Sequence, residues 1–144
     1  MRIKLALMIA AAGLLMASVP AWAHHAFAAE FDATKPVKLT GTVTKMEWIN
    51  PHSWIHIDVK NPDGSVTKWM VEGGSPNTLF RLGFTREALP EGAMIAVDGY
   101  RAKDGANRAV GANLTFADGK KLFMGGSAAQ VVDDKGKSVD SKGK

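Results

Sequence analysis

The side chains best suited to chemistry in this sequence are its four histidines, which fall into two short clusters: His24 with His25, and His52 with His56. Imidazole nitrogen is a ligand for borderline divalent metals, and Cu(II) stands at the top of their affinity order. His24 follows Ala21-Trp22-Ala23. A cut after Ala23 would give His24 a free α-amine, which can chelate one ion together with its own imidazole. His25 would add a second imidazole beside a backbone amide that can lose its proton to the metal. His52 and His56 flank Trp54 in Asn50-Pro51-His52-Ser53-Trp54-Ile55-His56. On a straight strand, positions 52, 54 and 56 share one face, with the outer two about 13 Å apart at Cα. One ion cannot bridge that span, so each would have to meet the N-terminal pair through a chain that folds back. A role for His52 in capping the Asn50-Pro51 turn is the plainer alternative.

Other candidate chemistry is thinner. Trp54 shares the polar side of its segment with His56 and Asp58, which makes Trp54, Asp58 and the nearby Trp48 candidates for a ligand groove, whereas Trp69 reads as core. Glu72-Gly73-Gly74-Ser75-Pro76 has the look of a glycine-rich loop before a helix, an arrangement that can hold anions but more commonly just reverses the chain. Arg81, Arg86, Arg101 and Arg108 could gather an anion, though surface arginines are the default. No nucleophile and base are spaced to work together, and Glu47, Asp58 and Glu72 do not form an evident carboxylate pair. The chain contains no cysteine, which removes thiolate metal sites and disulfides from consideration.

What must position these groups follows from the pattern along the chain. Arg2 and Lys4 precede an uncharged apolar run from Leu5 to Met16, and small residues at Ala21 and Ala23 complete the layout of a cleaved secretory signal over residues 1–23. The run is about a dozen residues where a membrane span needs about 20. The expected location is therefore periplasmic or secreted, with no membrane span once the signal is gone. The whole chain carries 18 basic and 14 acidic residues, a net +4. Setting aside Arg2 and Lys4 leaves 16 basic residues against 14 acidic ones, and much of that excess lies in the C-terminal lysines. A fold so close to neutral offers no electrostatic case for nucleic acid.

Residues 24–36 read as an extended arm, 37–126 as the folded domain and 127–144, small and charged, as a disordered tail. Five strands are expected, with a short sixth. Val37, Leu39 and Val43 alternate with polar residues, then the phase slips so that Met46 and Trp48 become the bulky positions, which predicts a bulge near Thr44 and Lys45. Ser53–Lys60 and Ser65–Glu72 surround the turn Asn61-Pro62-Asp63-Gly64 and should form a hairpin. Ser75-Pro76 starts a short helix through Leu79, Phe80 and Leu82, closed by Gly83, with one more helical turn over Thr85–Leu89. Ala93–Arg101, Arg108–Phe116 and a short piece at Leu122–Met124 complete the strands. All-β, with three strands, one short helix and two or three further strands, is the string of a small five- to six-stranded OB-like barrel.

The histidine pair followed by Ala26-Phe27-Ala28, then Phe31-Asp32, Gly41-Thr42-Val43, Trp48-Ile49-Asn50-Pro51-His52-Ser53-Trp54, Trp69, Glu72-Gly73-Gly74-Ser75-Pro76, Leu79, Arg81, Gly83 and Asp118-Gly119 together resemble the bacterial secreted family DUF6152, from about His24 to Gly126. The resemblance implies a periplasmic, mostly β protein and no assigned activity; it makes the histidine clusters features of a family. The function expected is an exported binding or accessory module, not an enzyme, taking copper through His24, His25, His52 and His56 or partnering a periplasmic protein. The alternative is a metal-independent interaction module that uses the Trp54, His56 and Asp58 face. A copper oxidase built on an N-terminal histidine is the remote third reading.

Overall fold

In the computed structural model, residues 27–131 are described. They form β1 (Phe31–Glu47), β2 (Trp54–Lys60), β3 (Val66–Glu72), helix α1 (Pro76–Arg81), β4 (Met94–Ala102), β5 (Arg108–Phe116), β6 (Lys121–Phe123) and a closing 3-10 turn, Gly126–Gln130. The sheet runs β3-β2-β1-β4-β5-β6, and β3 also pairs with β5. That extra pairing closes five strands into a barrel, with β6 attached outside the ring along β5. Every pairing is antiparallel except the closing one, where Met70, Val71 and Glu72 run parallel to Arg108, Ala109 and Val110. Five strands in this ring order, with a helix between the third and fourth, define an OB-type barrel.

The bent first strand makes the closure possible. Val43 faces Ile57 and Lys45 faces His56, so Thr44 is the extra residue of a bulge, as the phase slip predicts. Before the bulge Leu39 and Val43 point inward; beyond it Met46 takes over the packing against the core. A bulge sharpens the twist, which lets one long strand serve both β4 and β2. Gly99, beside the register shift between β4 and β5, answers a different need: a Cβ there would sit 2.1 Å from the Val110 carbonyl oxygen.

The interior is filled from all sides by Val43, Ile55, Ile57, Trp69, Val71, Ile95, Val97 and Leu114. Helix α1 plugs one end. Its cap is Ser75, whose Oγ accepts from the Thr78 N–H at 3.2 Å, and it drives Leu79 fully inside. Each large aliphatic side chain buried this way contributes about 1.5–3 kcal/mol.

The expected boundaries shift in five places. β1 begins at Phe31 instead of Val37, because Phe31 is buried and pairs with Ala102 across an irregular stretch. Residues 27–30 are helical instead of extended. Both aromatics, Phe27 and Phe31, lie in a second apolar cluster with Ala102, Val110, Ala112 and Ala128 on the outside of the barrel. The same cluster orders residues 127–131, the first part of the expected tail, because Ala128 is small enough to be buried against it. Thr85–Leu89 is a single turn closed by the Ala88 N–H to Thr85 carbonyl bond and followed by a bend, with no helix assigned. The short last strand is Lys121–Phe123, one residue earlier than expected. Residues 1–26 and 132–144, and with them His24, His25, the expected leader and most of the expected tail, lie outside the described residues.

Candidate functional site

Alternation along β2 and β3 settles which groups face out. Ile55 and Ile57 are buried; Trp54, His56 and Asp58 lie on the outer face, each half-buried. The hairpin register sets Trp54 opposite Glu72, His56 opposite Met70 and Asp58 opposite Lys68. The pairing continues past the end of β2, since the Ser53 N–H donates to the Gly74 carbonyl at 3.0 Å and the Gly73 N–H to the Ser53 carbonyl at 2.9 Å. His52 is thereby brought diagonally beside Glu72.

Glu72 is the unexpected centre of this region. It is only 2 % exposed, although its strand position points it outward. The closing 3-10 turn covers it, and the Ser127 hydroxyl donates to its Oε1 at 2.8 Å. The His52 Nδ1 lies 3.2 Å from the same oxygen, with the His52 side chain 32% exposed. Burial pushes the Glu72 carboxyl above the ordinary carboxylate range, and the Glu30 charge adds to that; the Ser127 hydrogen bond, His52 and Arg108 pull the other way. With Nδ1 turned to the carboxylate, Nε2 of His52 has no partner among the described residues.

His56 does not join His52. Its Nε2 lies 3.3 Å from Oε1 of Glu47, off the axis of a hydrogen bond, and is buried without another partner. Glu47 is also paired with Lys45, whose hydrogen bond is the main reason its carboxyl lies below the ordinary range. The two imidazoles of the second cluster therefore serve two separate carboxylates. Beside His56 runs an open groove of about 570 Å³ between β2, β3 and the β4–β5 loop, lined among others by Asp58, Lys68, Met70 and Arg108.

Trp48 is engaged elsewhere. Its ring stacks on Phe80 with centroids 5.0 Å apart and planes 7° apart, and the Arg86 guanidinium lies 5.6 Å from its centroid. Trp69 is core, with Arg101 5.2 Å from its ring centroid. The Gly73-Gly74 segment is structural: a Cβ on Gly74 would meet the Met124 carbonyl and the Gly126 nitrogen at 3.1 Å. The arginines do not converge, since Arg108 pairs with Asp104 at 3.2 Å and Arg101 donates to the Gly105 carbonyl.

Among the described residues no group of three or more His, Cys, Asp or Glu side chains is arranged to hold a metal ion, and no helix is long and apolar enough to cross a membrane. Glu72, Glu47, Ser127 and Met70 are the groups that reading the sequence did not single out. Counting pairs back from the Asn61–Gly64 turn could have placed Glu72 beside His52; nothing local announces Ser127.

An OB-type barrel carrying a histidine on a buried carboxylate is the class that fold and site define. The chain belongs to DUF6152, a family of unknown function, whose model matches residues 11–112. A comparison with curated proteins returned no match. Among solved structures, the mitochondrial single-stranded DNA binding protein Rim1 from S. cerevisiae is similar, with a TM-score of 0.41 and 14% identity over 58% of this chain and 94% of that chain.

Proposed function

We propose that this protein is an exported copper-binding module in which His24 and His25, freed by cleavage after Ala23, share one Cu(II) ion with His52. The observation that carries the reading is the His52–Glu72 contact. Metal-ligating histidines commonly turn their second nitrogen to a carboxylate, which fixes tautomer and ring orientation. The Nδ1 of His52 lies 3.2 Å from Glu72 Oε1 in an ion-pair contact of this kind, which leaves Nε2 as the nitrogen for a metal.

The reach of the N-terminal pair supports it. Phe27 is buried in the cluster that contains Val110 and Ala128. Val110 is the register partner of Glu72, and Ser127, next to Ala128, bonds Glu72 directly. His25 precedes Phe27 by two residues, a span of at most about 7 Å of chain. So short a tether favours a meeting of the N-terminal pair with His52. The ligand set of one α-amine and imidazoles suits Cu(II) above other divalent ions. His56, committed to Glu47, belongs to a different part of the surface.

The test uses protein that begins at His24. Titration with Cu(II) followed by EPR should show one site with nitrogen ligation, and His52→Ala should weaken it at least tenfold. An extra residue ahead of His24 should weaken it as well, because the α-amine is displaced. Affinity and spectrum unchanged in a double His24→Ala, His52→Ala variant would refute the reading. Mass spectrometry of the exported protein should return a chain starting at His24.

A further inference from the structure

We propose a second, soft-metal site in the groove beside β2 and β3, in which His56 and Met70 take a monovalent d10 ion, Cu(I). It is a separate site from the one built on His52 and stands or falls without it.

Three observations meet there. His56 and Met70 are direct cross-strand partners, and such partners have Cβ atoms about 4.5–5.5 Å apart, a spacing that one ion can bridge. Both side chains open onto the same groove of about 570 Å³. Met70 is 38% exposed, so its thioether is available, unlike that of the buried Met124. Thioether sulfur selects soft ions and imidazole accepts them, so the pair favours Cu(I) over Zn(II), Mg(II) or Ca(II). The Nε2 of His56 is buried beside Glu47, which leaves Nδ1 as the ligating atom. Two of the three cations around the groove are paired with acids. Lys45 pairs with Glu47 and Arg108 with Asp104, while Lys68 faces Asp58 across the hairpin.

Silver(I) is a redox-inert probe for the site, read by the methionine methyl signals in NMR, with anaerobic Cu(I) competition against a chromogenic chelator as a second measurement. At one equivalent of Ag(I), the Met70 methyl should shift. The Met94 methyl should not: that residue is 52% exposed but faces Thr42 in its pairing and no histidine. Met70→Leu and His56→Gln should each lower Ag(I) and Cu(I) affinity at least tenfold, and the double His24→Ala, His52→Ala variant should keep it. Met70→Leu conserves volume at an exposed position, and its far-UV CD and unfolding midpoint show directly that the fold is retained. A Met70 methyl that does not move, or equal movement at Met94, overturns the proposal, as does unchanged affinity in folded Met70→Leu. Loss of Cu(II) binding in the double variant with Ag(I) binding intact would separate the two sites.

Discussion

Glu72 is a carboxylate in a place that disfavours its charge. Burial raises its pKa, and only the Ser127 hydroxyl, His52 and the Arg108 field make ionisation tolerable. Removing the acceptor leaves the buried Ser127 hydroxyl unsatisfied, a loss of about 1–3 kcal/mol. Glu72→Ala should therefore lower unfolding free energy by that amount in urea titration at neutral pH. Glu72→Gln, which keeps an acceptor and discards the charge, should cost less. In the copper reading both should also weaken Cu(II) binding by about 10- to 100-fold, the usual effect of losing a carboxylate behind a metal-bound histidine. A Glu72→Gln variant with unaltered affinity would show that the carboxylate only fills space.

At the scale of elements, local chemistry is legible where the period of the sequence and the turn residues act alone. The phase slip after Val43 marks the bulge, Ser75-Pro76 marks the helix start, and Asn61-Pro62-Asp63-Gly64 marks the hairpin. In that turn the Ser65 hydroxyl and N–H both donate to Asp63 Oδ1. These bonds favour the charged carboxylate and hold its pKa below the ordinary value of 3.8. A depressed carboxylate pKa contributes stability above the unfolded value and loses it as pH falls through the folded one. The turn should thus loosen below pH 3.8, and Ser65→Ala should move the Asp63 carboxyl upward in an NMR pH titration, toward that value. What is not legible has one cause. Phe27, Phe31 and Ala128 are ordered by a cluster assembled from both ends of the described chain, and Glu72 is buried by the turn that cluster holds. No local window contains such a contact. The polar run Asp32–Lys35 conceals the start of β1 for the same reason, since Phe31 is fixed by its pairing with the distant Ala102.

At the scale of the molecule, the barrel has two apolar bodies: an interior, and an external cluster that fastens the N-terminal segment and the closing turn over β4 and β5. Glu30 takes part in this fastening, through its carbonyl to the Lys103 N–H at 2.9 Å and its carboxylate 3.8 Å from Arg108. In the copper reading, this cluster is the anchor that keeps His24 and His25 near Glu72. Phe27→Ala should cost about 3–5 kcal/mol, the usual loss for a buried aromatic. Calorimetry should show the loss, and Cu(II) affinity should fall in protein that is still folded at low temperature. Retained affinity would mean that the leading histidines reach the metal without the anchor.

The same cluster makes the molecule suitable for rewiring. Phe27 and Ala128 touch one patch, so a short peptide could join the two ends while new ones are opened at Gly64, where φ is +87° and an added Cβ would meet no atom within 4 Å. Such a permuted protein should fold, because no strand is cut. In the copper reading, where the chain begins at His24, it would keep every imidazole yet convert that amine into an ordinary peptide nitrogen. The difference between its copper affinity and that of the native order would then measure the share contributed by that single nitrogen.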